Sequence, residues 1–244
     1  CVKELSGDGR PEAVGLCFGG LLQDDGTMRE GSTNLGNLDR VPLKDFFGQL
    51  LQLPCRVEND AIAAMRGEAM FGAARGLKNA MTMTFGSGIG SGLLLDGRIY
   101  HGTHRRAGEI GVWRIAAPLT GNVSPSLEEI AAPGRFFRRH GAELAELLRK
   151  AAAHDEKARI ESQLSIKAVG RAIANAHLLL DLEAVILTGG ITVLGDIFLD
   201  PIKAAYEVDC PVEYQQGLEI RIGELGPYAG AIGAAALWLE DTAA

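Results

Sequence analysis

The sequence contains no run of about eighteen apolar residues, so nothing in it reads as a membrane-spanning helix. Cysteine is scarce. The four present, Cys1, Cys17, Cys55 and Cys210, form no C-x-x-C pair and have no histidine at ligand spacing. That speaks against a zinc site and against a disulfide framework. Positive charge is short as well, and a net charge of −7 argues against a dedicated nucleic-acid surface. The nearest approach to a basic cluster is His104-Arg105-Arg106, with Arg135, Arg138 and Arg139 further on. Composition reads these as a solvated face and helix-end cations. No signal-peptide pattern opens the chain, so a reducing cytoplasm is the expected compartment. The opening also has no initiator Met and runs through Gly7-Asp8-Gly9-Arg10 into an apolar strand. It reads as if entered partway through a domain, and an upstream segment is expected.

What is present suits a sizeable core: 244 residues, 47% hydrophobic and 23% charged. Periodicity and turn signals give strands near 12–18 and 55–58, and a helix from Pro42 through Leu51. Asn59-Asp60 can cap a helix over 61–71, and residues 23–39 read as loop. Strands follow at 81–85 and 92–95 around a glycine-rich turn, and Asp96-Gly97 signals a hairpin. Helices are expected at 127–132, 136–153 and 166–180, then a strand at 184–187 and a helix at 195–206. A strand at 218–222 and a small-residue helix at 229–239 end the pattern. Alternation of strands and helices indicates an α/β fold with mixed sheets.

Several short motifs carry chemistry. In Thr84-Phe85-Gly86-Ser87-Gly88-Ile89-Gly90-Ser91-Gly92, alternate glycines let the backbone approach a ligand closely. Its N–H groups and the hydroxyls of Thr84 and Ser87 can cradle phosphate oxygens, although no Lys follows as in a Walker motif. In Glu58-Asn59-Asp60, a carboxylate at a strand-to-helix junction can take a proton from a hydroxyl attacking a γ-phosphate. The Asn59 amide can bind a neighbouring hydroxyl, and the helix dipole helps keep Asp60 ionised. A plain N-cap explains the same pair. Glu109, between the glycines of Ala107-Gly108-Glu109-Ile110-Gly111, is a candidate hydroxyl acceptor or an exposed loop acid. Glu128 opens a helix, where the dipole alone explains an acid. Gly189-Gly190, after an apolar strand, can admit an adenosine or be a tight crossover turn.

In order and spacing, these segments resemble the ROK family of bacterial sugar kinases and sugar-responsive repressors, from about Val14 to Leu237. The matching stretches are Gly19-Gly20, the E-N-D-x-x-A-A-x-x-G-E run at Glu58 to Glu68, and the phosphate turn at Gly86 to Gly92. A-G-E-I-G at Ala107 to Gly111, Ser126-Leu127-Glu128, Gly189-Gly190 and the run from Leu225 to Ala235 complete the series.

The resemblance implies an actin/hexokinase-like ATPase fold, with two lobes of mixed sheets flanked by helices around a central cleft. Residues 1–79 would form the small lobe, completed by a C-terminal helix at 228–244, and 80–227 the large lobe. Asp60 would be the general base, and Gly20, Asn34, Asn59, Glu109 and Glu128 would bind sugar hydroxyls. Gly86, Ser87, Gly88 and Gly90, with Thr84, would hold the phosphates of ATP and its Mg²⁺, and Gly189 and Gly190 would border the adenosine. A sugar is the implied partner, in a homodimer, with neither nucleic acid nor membrane engaged by this segment. Three features depart from the family pattern. The opening D-x-G-G-T phosphate loop is not in the sequence, and without it nucleotide binding would be poor. Val112 stands where the family has a His, and 113–126 lacks the zinc-binding cysteines, so no structural zinc is expected. The alternative expectation is a sugar-sensing module without catalysis, such as a repressor's effector domain or a degenerate kinase.

Overall fold

A computed structural model describes residues 11–31, 38–115 and 124–239. Its centre is a five-stranded sheet in the order β7-β6-β5-β8-β9. These strands are β5 (Ala80–Phe85), β6 (Ile89–Leu95), β7 (Arg98–Ile99), β8 (Ala184–Gly189) and β9 (Glu219–Ile222). β5, β8 and β9 are parallel, and β6 and β7 fold back antiparallel on the β5 edge. The near-continuous apolar runs of β5 and β8 are what a strand covered on both faces needs. On one face, Ala80, Leu94, Ala184 and Ile186 pack with Met65. On the other, Met81, Met83, Phe85, Val185 and Leu187 join the main core, where the Phe85 and Phe198 rings meet edge-on at 5.2 Å.

Before this sheet come two smaller pairs. β1 (Val14–Phe18) runs parallel to β4 (Cys55–Asn59), with α1 (Leu43–Leu51) between them, and β2 (Gly20–Leu22) pairs antiparallel with β3 (Met28–Gly31). β4 leads directly into α2 (Asp60–Phe71), whose residues from Ala61 to Glu68 are all buried. A helix buried all round needs small neighbours, and glycines provide them. A Cβ on Gly92 would lie 2.7 Å from the Ala61 carbonyl oxygen, and one on Gly90 would lie 2.8 Å from the Ala61 Cβ. On its other side α2 meets α8 (Ala229–Ala236), where Gly233 sits directly against the Ala63 carbonyl. Glu68 ties this end together: its carboxylate accepts the N–H groups of Ala73, Glu224 and Leu225 at 2.7, 3.1 and 3.1 Å.

The helical stretch between β7 and β8 differs from the sequence expectation. Residues 133–152 are two helices, α4 (Pro133–His140) and α5 (Leu144–Ala152), after the short α3 (Leu127–Ala131). Gly141 breaks them with φ +65°, a left-handed stop that glycine takes without steric cost. α6 (Glu156–Leu180) starts ten residues earlier than its apolar periodicity suggests, at the Asp155 cap, which accepts the Ala158 N–H at 3.0 Å. α7 (Asp196–Asp209) packs against α6. β3 lies within the stretch expected to be loop: its Met-Arg-Glu-Gly sequence has no alternation, and it is defined by pairing with β2 and by Met28's backbone hydrogen bonds with Arg40 and Val41 at 2.7 and 2.9 Å. Among the described residues, no helix is long and apolar enough to cross a membrane.

Candidate active site

A cavity of about 640 Å³ opens where β4, the β5–β6 turn, the 100–112 segment and α3–α4 converge. Each wall follows from local chemistry. Asn59 caps α2, its Oδ1 accepting the N–H groups of Ala61 and Ile62 at 2.9 and 3.1 Å. Its Nδ2 donates to the Gly20 carbonyl at 3.0 Å, drawing the start of β2 to the cavity rim. Because Asn59 takes the cap, Asp60 falls on the first helical residue, where it lines the cavity.

The opposite wall is the turn at Gly86-Ser87-Gly88. Gly86 is open, with nothing within 4 Å of where a Cβ would stand, so a ligand can reach its backbone. The turn closes by Gly86 N–H to the Gly88 carbonyl at 3.0 Å, and Gly134 N–H at the start of α4 binds the Gly86 carbonyl at 3.1 Å. Thr84 at the base of the turn shares a 2.8 Å hydrogen bond with Thr188 on β8. A capping box between Ser126 and Glu129 fixes α3, so that Glu128 projects to the turn and pairs with Arg135 at 2.7 Å.

The structure thus brings Gly20, Asn59, Asp60, Thr84, Gly86, Ser87, Gly88, Gly90, Glu109 and Glu128 to one cavity. Gly189 and Gly190 do not line it. They stand at the same sheet end, with Gly189 in register with Phe85, and the close backbone approach at φ +100° leaves no room for a Cβ there. Asn34 lies outside the described residues. Val112 lines the cavity and is 57% exposed, so an isopropyl group faces the ligand space.

Sequence reasoning underrated the arginines. Arg106, Arg135 and Arg138 all line the cavity rather than a plain solvated face. No local spacing signals this, because the three meet only once α4 docks on the turn. Among the described residues, no group of three or more His, Cys, Asp or Glu side chains is arranged to hold a metal ion.

The two acids of the Glu58-Asn59-Asp60 run are electrostatically opposite. Asp60 is exposed to solvent, yet the protein around it costs it hydration, which pushes its carboxyl above the usual range and outweighs the Ala61 N–H at 2.9 Å. The helix end does not offset that loss. Burial disfavours ionised Glu58, but hydrogen bonding and charge from His101, the Arg105 charge and the Asn59 N–H hold its carboxyl below the usual range. A raised pKa means that the folded state favours protonated Asp60, so its ionisation opposes folding as pH rises through that pKa. Asp60→Asn is therefore expected to raise the thermal midpoint slightly at pH 7, with the gain fading as pH falls towards 3.8. Thermal unfolding from pH 4 to 8 checks this; a variant less stable at neutral pH would contradict it.

Known proteins match this architecture. The ROK family model aligns with residues 3–241. The chain belongs to the ROK family. A glucokinase from Halalkalibacterium halodurans is 32% identical, the match covering 95% of this chain and 78% of the relative. A ROK family glucokinase from Streptomyces griseus, solved with glucose and AMPPNP, superposes with a TM-score of 0.82 at 27% identity, covering 97% of this chain and 84% of that one. A ROK family transcriptional regulator, a homologue of the E. coli MLC protein, shares the fold with a TM-score of 0.81 at 22% identity, covering 96% of this chain and 63% of its own. The ROK chain described here therefore has the actin/hexokinase-like α/β fold, with mixed sheets and flanking helices.

Proposed function

We propose that the protein phosphorylates a hexose or hexose derivative with ATP, using Asp60 as general base. The observation that carries this reading is the shared cavity: the Asp60 carboxylate and the Gly86–Gly88 turn line one space of about 640 Å³. ATP with its Mg²⁺ supplies the transferable phosphoryl group when bound. Gly86, lacking a side chain, leaves the turn open to such a polyanion, and Ser87 and the arginines of α4 fit it, with Gly189 and Gly190 bordering the nucleoside. Gly20, Asn59, Glu109 and Glu128 orient the sugar, and Asp60 accepts the proton of the attacking hydroxyl. The raised pKa of Asp60 makes its ionised carboxylate a stronger base than a free one. We place the reaction in the cytoplasm, between a small lobe at 1–79 plus the C-terminal helix and a large lobe at 80–227.

ADP release by the full-length protein across a panel of hexoses and N-acetylhexosamines tests the activity. At least one sugar should raise it well above the sugar-free rate. Thermal stabilisation by a sugar that yields no ADP would instead support the sensing module. Arg135→Ala should raise the KM for ATP by about tenfold or more, since charge-assisted hydrogen bonds contribute about 1.5–3 kcal/mol. An ATP titration at saturating sugar reads this directly, and an unchanged KM would remove Arg135 from the phosphate site.

A further inference from the structure

Glu58 does not line the cavity and has no part in the chemistry proposed above, yet it is buried to 2% exposure two residues before Asp60. A carboxylate so placed needs partners, and it has them. Its Oε2 lies 2.8 Å from His101 Nε2 and 3.7 Å from an Arg66 terminal nitrogen. Its Oε1 accepts from an Arg105 terminal nitrogen at 2.8 Å and from the Asn59 N–H at 3.0 Å. Arg105 also reaches Asp24, in the β2–β3 turn, at 3.5 Å.

Arg105 and His101 belong to a segment, 100–109, built of turns with no helix or strand of its own. Arg105 has φ +54°, a left-handed backbone that a branched-off side chain disfavours, between Gly102 at φ +72° and Gly108 at φ +86°. Other fastenings of the segment include the N–H groups of Tyr100, Arg105 and Ala107 to the carbonyls of Leu93, Gly102 and His101 at 2.9, 3.3 and 3.1 Å, and the Ser91 hydroxyl to the Gly108 carbonyl at 2.6 Å. The neighbours of these residues, Arg106 and Glu109, line the cavity. One buried carboxylate therefore joins the strand that delivers Asp60 to the loop that delivers Glu109.

We infer that Glu58, Arg105 and His101 form a latch that holds the 100–109 segment in register with Asp60. Arg105 is thus a positioning residue for the sugar contacts of Glu109. The latch is read from geometry; its kinetic consequence rests on the sugar-kinase reading. Losing Arg105 removes the ties to both Glu58 and Asp24 and leaves His101 as the segment's remaining contact with Glu58.

Hydrogen exchange and sugar titration on full-length Arg105→Ala and Arg105→Lys provide the test. In Arg105→Ala the Ala107 amide should exchange at least about tenfold faster, while α2 and β5 keep wild-type rates. The sugar KM should rise about tenfold with kcat within about threefold, and Arg105→Lys should recover part of the loss by restoring one charge to Glu58. Unchanged exchange at 100–109 would overturn the latch, as would exchange rising equally throughout α2 and β5. If the wild-type protein phosphorylated no sugar, the kinase reading would fall, and the exchange data would still decide the latch.

Discussion

Asp60→Asn should lower kcat by about 10²- to 10⁴-fold, the usual contribution of a positioned general base, and leave the sugar affinity within a few-fold. The two expectations separate because the side chain is isosteric and because Asn59, not Asp60, carries the helix cap and the Gly20 strap. The cavity walls therefore stay in place when the carboxylate goes. ADP-release kinetics at saturating ATP, with sugar affinity from thermal stabilisation, would show a loss confined to kcat. A variant with undiminished turnover would end the assignment of Asp60. One whose sugar binding collapsed along with kcat would make Asp60 a ligand rather than a base. The wild-type activity should itself fall with acidity, because the base must be ionised. Its acid limb should lie above the 3.8 of an unperturbed aspartate, since loss of hydration raises the Asp60 pKa.

The largest effect on stability is expected at Gly233, remote from the chemistry. A Cβ there would overlap the Ala63 carbonyl and stand 2.8 Å from the Gly67 nitrogen. Both are backbone atoms in the buried stretch of α2, so neither can move aside as a flexible side chain would. Gly233→Ala must push α8 away from α2, and overpacking of this kind costs about 3 kcal/mol. For a chain of this size that lowers the thermal midpoint by about 6–12 °C. Gly190→Ala is the control: its Cβ would meet nothing within 4 Å, so its midpoint should move by less than about 3 °C. Equal midpoints for the two variants would show that the α2–α8 contact is looser than described.

Elements whose partners are local were legible in the sequence. The hairpin at Asp96-Gly97 has positive φ at both residues, as its composition indicates, and the strands at 80–85 and 184–189 follow from their apolar runs. The site was legible where it rests on backbone: Asp60 after a cap, and glycines opening a turn. What escaped was long-range. The packing duty of Gly90 and Gly92 against α2 depends on Ala61, Ile62 and Met65 of a helix far upstream in the sequence. The two nearest charge partners of Glu58, His101 and Arg105, each at 2.8 Å, lie over forty residues away in sequence. Charge composition could not reveal that Arg105 is an internal counter-ion while Arg106 faces the cavity. Loss of hydration at Asp60 likewise reversed the direction expected from the helix end alone.

The most direct measurement is a crystal structure of the full-length protein with a sugar and a non-hydrolysable ATP analogue. The Asp60 carboxylate should lie within hydrogen-bonding distance of one sugar hydroxyl. That oxygen should point in line at the terminal phosphate held beside Gly86 and Ser87. A sugar bound elsewhere, or an analogue whose phosphates approach from a face that Asp60 cannot reach, would contradict the account.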